Sequence, residues 1–394
     1  MLQMSANIAG NAVKLRIFDT FQEVEREWRD FQGRGVATPY QQYGWLEPWF
    51  RHVGREQGIR PVIVCGEANG APAFFWPFGI QRIGGLKVCR WLGGKQSNYN
   101  FGLYDPEILP RLDAATVKAF LHTISERSGG IDVFEFFNQP QAWNGVVNPF
   151  AAFEQQISPS PCYRLDLQKD FESLEKARRN PRSIQTLRRK ARKLAGEHGE
   201  TKIASPADPE EFAKVFDGFM EQRAIRFDAM GVQNVFAGTG LRAFLEEVSR
   251  PSESGEAPVM PFHALSAGGE VCATYAGLTL NGHYSCFINS IDGDRFGKFS
   301  PGDILLRGVI EECCDAGFVG FDLGMGNERY KTSWCDEDPL FDCFVPITAL
   351  GLLHTVRIRT MLSLKRTIRS NPKLWSFAKS IRKQLHAKAA PDAE

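Results

Sequence analysis

Two stretches of this chain run through the same order of elements about 187 residues apart. A repeat of that length confines the architecture to two like units. The first opens with the strand-like run Val13-Lys14-Leu15-Arg16-Ile17-Phe18. Thr20 and Glu23 follow, spaced as a capping box that predicts a helix to about Phe31. The second opens with a short strand over 199–204. Asp208-Pro209-Glu210-Glu211 then supplies an N-cap, a proline at the first helical position and first-turn carboxylates, predicting a helix to about Phe227. Each copy continues into a hairpin, turning at Asn69-Gly70 and at Gly268-Gly269. A further strand, a helix (about 111–127 and 303–316) and a buried strand (131–137 and 318–323) complete each unit. The hairpins stand 199 residues apart, and the surplus falls in the loop 249–258.

The 394 residues suit about two or three domains of roughly 100–200 residues. With 43% hydrophobic and 24% charged residues, the composition excludes disorder as the main state. No apolar run reaches the roughly 18–20 residues of a membrane-spanning helix. The start of the chain lacks the pattern of a secretion signal, so a cytoplasmic protein is expected. Nine scattered cysteines without a CxxC predict buried, reduced thiols rather than zinc or redox sites.

The net charge of +1 conceals an uneven distribution. Nine Lys/Arg and no acid fall between Lys176 and Lys193, and ten Lys/Arg and no acid between Arg357 and Lys388. Residues 1–356 net −7. An acidic body with basic helical segments concentrates anions locally. Nucleic acid is disfavoured, because the basic block lacks interleaved aromatics. Apolar residues recur through the tail at Met361, Leu364, Ile368, Leu374, Trp375, Phe377, Ile381 and Leu385, which predicts basic amphipathic helices broken near Asn371-Pro372. They either contact an anionic membrane surface peripherally or pack on the body with a solvated basic face.

Several local motifs sharpen the repeat. Phe299-Ser300-Pro301-Gly302-Asp303-Ile304-Leu305-Leu306 opens a helix after a strand. Phe321-Asp322-Leu323-Gly324-Met325-Gly326 and then Tyr330-Lys331 follow the next buried strand. With Tyr40-Gln41-Gln42-Tyr43-Gly44-Trp45-Leu46 and the basic run from Arg182 to Lys193, they resemble the GNAT acetyltransferases. The likeness is to the cellulose and exopolysaccharide biosynthesis (CelD-type) branch, which is similar to the FemAB peptidyltransferases. The resemblance covers about residues 13–350. It implies an α/β (α+β) fold of tandem GNAT units, each a mixed, mostly antiparallel sheet flanked by helices. The expected domains are a degenerate unit at 1–160, a basic linker helix at 161–199, the acyltransferase unit at 200–350 and basic amphipathic helices at 351–394.

What the residues could do follows from their types. A helix N-terminus with unpaired amides suits a phosphate, and the resemblance places the pyrophosphate of acetyl-CoA or another acyl-CoA at Lys298, Ser300, Pro301, Gly302 and Asp303. The pattern departs from the family's in two places: Ser300 stands at a glycine position and Gly297 at the Arg/Gln position. Acyl transfer builds an oxyanion and expels a thiolate, so a cation and a proton donor both help. Lys331 and Tyr330 are the candidates, with Asp322 as candidate base. Tyr43, Trp45 and Tyr99 offer aromatic faces to a sugar. Arg182 and Arg189 offer charge to a lipid-linked or nucleotide-linked saccharide, and Tyr275 and Asn289 complete the candidate substrate site. No triad, GxSxG elbow, HExxH or carboxylate cluster argues for a hydrolase or a metal. The resemblance thus implies acyl transfer to an amine or hydroxyl in polysaccharide synthesis. The alternatives are FemAB-like aminoacyl transfer to a peptidoglycan precursor, or a non-catalytic scaffold of a polysaccharide synthase.

Overall fold

A computed structural model describes residues 5–8, 11–108, 112–252, 255–326 and 328–371. The expected tail helices beyond residue 371 lie outside that range. The chain divides into two compact α/β units. One comprises Met1–Cys162 and Asp338–Thr367, and the other Tyr163–Glu337 and Ile368–Glu394. This redraws the expected boundaries. The basic helix Pro181–His198 is part of the second unit rather than a separate linker, because Ile184, Leu187 and Leu194 are buried there. The strand Leu340–Pro346, expected in the second unit, pairs antiparallel with Val133–Pro140 and with Gln155–Ile157, and so completes the sheet of the first.

The repeat is realised element by element. In the first unit Arg60–Ala68 and Ala71–Ile83 form the hairpin. The strand Leu86–Trp91 then leads through the helix Ala114–Arg127 to Val133–Pro140, which pairs parallel to it. In the second, Phe262–Ala267 and Glu270–Leu280 form the hairpin. The strand His283–Ile291 leads through Pro301–Asp315 to Gly320–Met325, again parallel. A parallel partner needs a crossover, which is why a helix intervenes in both copies.

The local chemistry behaves as read, with one exception. Asp208 caps Pro209–Ala229 by accepting from the amides of Glu210 and Glu211. In the first copy Thr20 donates to the Glu23 carboxylate at 2.8 Å, and the helix begins later, at Glu25. Each unit has its own core. The first is dense in aromatics, among them Trp28, Trp45, Trp76, Phe78 and Phe136. The second centres on Leu265, Ala273, Tyr284, Leu305, Val309, Phe321 and Trp334. All nine cysteines are buried and free.

Candidate active site

The chemistry of the second unit is set by where two parallel strands stop pairing. His283–Ile291 and Gly320–Met325 meet only at His283↔Gly320, Tyr284↔Phe321 and Ser285↔Asp322. The junction is locked on every side. The Tyr284 and Phe321 rings stack at 5.2 Å. A Cβ on Gly320 would overlap the His283 ring, so only glycine allows that approach. Buried Asp322 accepts from Ser285 Oγ and from the amide of Gly324, each at 2.9 Å. Past Ser285 the register with the neighbouring strand also shifts: Gly277 faces Cys286 while Ala276 faces Ile288. Phe287 is thus the extra residue of a bulge, which bends the strand. Beyond Ser285 the two strands part, and residues 286–291 no longer pair with Gly320–Met325. Asp322, the expected base, is the anchor of this opening; its hydrogen bonds hold the junction together.

Three candidates converge where the strands part. Asn289 sits opposite Tyr275 in the sheet, and Asn289 Nδ2 donates to Tyr330 Oη at 3.2 Å. The Tyr275 hydroxyl lies beside both Asn289 and Tyr330. Burial pushes both phenols above their ordinary range, so both remain protonated donors at neutral pH.

A fourth member, Arg223, was missed by sequence reasoning. It projects from Pro209–Ala229 and donates to the Asn289 carbonyl at 3.4 Å. Its guanidinium lies 5.0 Å from the ring centroids of both Phe227 and Phe236. No carboxylate among the described residues pairs with it, and its Nε is buried without a partner. Burial, reinforced by Arg226, lowers its pKa to about 10. A signal was present: Phe212, Phe216, Phe219, Arg223 and Phe227 follow helical spacing, with a cation at a position the period assigns to the core.

Lys331 is placed differently from its chain neighbour Tyr330. Its buried Nζ donates to the Met325 carbonyl at 2.6 Å and pairs with Glu328 at 3.0 Å. It therefore closes the loop after Met325, and its charge already has a partner.

The helix Pro301–Asp315 starts directly after these elements. Ser300 takes a left-handed conformation (φ 57°) and accepts from Lys190 Nζ at 2.7 Å. A cavity of about 370 Å³ opens there, lined by Arg179, Arg182, Ser183, Lys190, Ser300 and Asp303. Arg179 is bidentate on Asp303, at 3.1 and 2.8 Å. The basic helix and the helix start thus face one cavity. Pro301 takes the first helical position, where its missing N–H costs nothing. Gly302 is buried, and a Cβ there would come within 2.6 Å of Ile291 Cδ1; its smallness serves packing against the strand end. Lys298 is spent elsewhere, on Glu197 at 2.7 Å. Arg189 is exposed and does not line the cavity.

The three aromatic sugar-binding candidates belong to the core of the first unit. Tyr43, Trp45 and Tyr99 are buried. Tyr43 packs edge-on against Phe21 and Trp28, and Tyr40 packs edge-on against both Trp45 and Tyr99. Apolar bulk outweighed any binding role, so none of them presents a face to a ligand. At the position in the first unit that corresponds to the opening, Trp91, Phe136 and Phe150 are buried against one another with centroids 4.6–5.5 Å apart.

The comparisons agree with this geometry. Among solved structures the chain is similar to FemX (11% identity, TM-score 0.58), covering 83% of this chain and 96% of that one. It is also similar to the C-terminal domain of a putative lysylphosphatidylglycerol synthetase from Agrobacterium fabrum (12%, 0.53, covering 85% and 95%). A third likeness is to a conserved protein of unknown function from Bacteroides thetaiotaomicron (11%, 0.52, covering 85% and 100%). At these identities the likeness is one of fold. No curated protein matches. Residues 181–332, which carry the basic helix, the opening and the Tyr330-Lys331 pair, match the family described as acetyltransferase (GNAT) domain.

Proposed function

We propose that the protein transfers an acetyl or other acyl group from acyl-CoA to an amine or hydroxyl acceptor. The observation that carries this is the parting of His283–Ile291 from Gly320–Met325 after three residue pairs, with Asn289, Tyr330 and Arg223 gathered beside it. The opening where the two strands part gives a thioester room beside Asn289 and Tyr330, and the cavity of Arg182, Lys190 and Ser300 offers cations to the donor's phosphates. In the reaction the acceptor's nitrogen or oxygen bonds to the acyl carbon and the C–S bond breaks. The thiolate takes a proton from Tyr330, which recovers one from the acceptor. Arg223, whose charge lacks a carboxylate partner, stabilises the oxyanion formed between these events. On the CelD-type resemblance, we assign the acceptor to a sugar of cell-surface polysaccharide.

Calorimetric titration with acetyl-CoA and coenzyme A tests the proposal. Binding at micromolar to millimolar concentration is expected, weakened about tenfold or more by Arg182→Ala with Lys190→Ala. Absence of binding at millimolar concentration overturns it and leaves the scaffold reading. The fold shared with FemX and the lysylphosphatidylglycerol synthetase domain supports a second reading, aminoacyl transfer. Transfer of label from charged tRNA, but not from acetyl-CoA, would establish that reading instead.

A further inference from the structure

The helix Ala349–Ser370 packs on the first unit with the wrong face outward for a helix bathed in water. Its inner side carries Gly351 and Thr355 with the half-buried Ile358 and Leu362. Gly351 lies against the Asp132 carbonyl, buried Thr355 donates to the Gly351 carbonyl at 2.9 Å, and His354 contacts the carboxylate of buried Glu135. Arg359 pairs with Glu154 on the same unit. The outer side carries Leu350, Leu352, Leu353, Val356, Met361 and Leu364, each between 44% and 69% exposed. At 100° per residue these six occupy about half the helix circumference, opposite Gly351 and Thr355, and share it with the exposed Thr360, Ser363 and Thr367. A solvent-facing apolar patch of this extent marks a docking surface.

Charge identifies what docks. Between Asp342 and Asp392 the chain has ten Lys/Arg and no acid. Arg357 sits within the apolar arc, and Lys365 and Arg366 flank it; all three are exposed. A second copy of the chain would set these cations against their own kind. Residues 372–394 would do the same, since Lys373, Lys379, Arg382, Lys383 and Lys388 carry the same sign. An anionic lipid surface satisfies both features: leucines enter the acyl boundary while arginine and lysine reach the headgroups. No described helix is long and apolar enough to cross a bilayer, so the contact is peripheral. We propose that the outer face of Ala349–Ser370 docks the protein on an anionic membrane surface, with the basic segment beyond it adding to the attraction.

The test is co-sedimentation of the full chain with vesicles of phosphatidylcholine alone, and with a quarter of the lipid replaced by phosphatidylglycerol. Binding is expected to the second and not the first, and to fall about tenfold or more as salt rises from about 0.1 to about 0.5 M. Leu353→Glu with Leu364→Glu should weaken it about tenfold or more without lowering thermal stability, because both side chains face outward. Arg357→Glu with Lys365→Glu provides a second variant that leaves the leucines in place and should act alike. Failure to sediment with phosphatidylglycerol, unchanged binding by a folded variant of either pair, or a wild-type dimer that both variants convert to monomer without any vesicle binding would overturn the proposal.

Discussion

Replacing Arg223 by methionine should raise stability while slowing catalysis. A guanidinium whose pKa falls below its ordinary value to about 10 is disfavoured in its charged form by about 3 kcal/mol before solvent screening. The side chain is only partly buried, and water screening reduces this to about 1–2 kcal/mol. Methionine keeps an unbranched stem and a polarisable atom between the Phe227 and Phe236 rings, so most of the packing survives. The cation–π attraction it forfeits is about 0.5–1 kcal/mol. The net gain is about 1 kcal/mol, which moves a urea midpoint upward by roughly 0.5 M. Meanwhile the oxyanion loses its cation, and thiol release from the acyl donor should slow about 100-fold or more. Opposite signs in the two assays are what separate a functional arginine from a structural one. A variant less stable by about 1 kcal/mol with unchanged turnover would show that Arg223 holds Pro209–Ala229 together and nothing else.

Tyr330→Phe removes a hydroxyl that accepts from Asn289; steady-state turnover should fall roughly 10- to 100-fold, with unfolding free energy altered by less than about 0.5 kcal/mol. Gly351→Ala drives a methyl into the Asp132 carbonyl and pulls on the Thr348–Asp132 hydrogen bond at 2.7 Å, so urea unfolding should register a loss of about 2–3 kcal/mol; a loss under about 0.5 kcal/mol would mean the helix shifts freely. Burial pushes the His283 pKa down to about 4, so the folded protein keeps this ring neutral while the unfolded chain protonates it below about 6.5. Stability is therefore complete above pH 6.5 and falls by up to about 3 kcal/mol as pH drops to 4. His283→Gln should flatten that part of the stability–pH curve relative to wild type, and parallel curves would refute the assignment.

Much of the architecture was legible because the strongest signals are local. Asp208-Pro209 sets a helix start wherever it occurs, and Gly268-Gly269 turns a hairpin with φ positive at both residues. The offset of 187 returns in the helices beginning at Ala114 and Pro301 and in the strands beginning at Val133 and Gly320. Strand partners are a different matter. Nothing around Leu340–Pro346 announces that it will pair with Val133–Pro140, because pairing preference resides in packing across the sheet and is spread over many residues. The site was half legible for the same reason. Tyr275, Asn289 and Tyr330 meet, and Arg182 and Ser300 share a cavity. Aromatic residues such as Tyr43, Trp45 and Tyr99 look alike in sequence whether they serve a core or a ligand. Asp322 was given a chemical role because strand alternation faces it opposite to Phe321 and Leu323, yet two donors within 2.9 Å make it a fastening. Arg223 escaped notice because a lone cation on an apolar helix face becomes informative only once its lack of an acid is visible.

The first unit's sheet runs Val133–Pro140, then Leu340–Pro346, then Gln155–Ile157. Its middle member is therefore made last, after the whole of Tyr163–Glu337 has left the ribosome. Until then Val133–Pro140 exposes a row of unsatisfied amides and carbonyls beside phenylalanines at 134, 136 and 137, the kind of edge that captures the wrong chain. The first unit thus waits on synthesis of the second, and any truncation ahead of residue 346 leaves that edge uncovered.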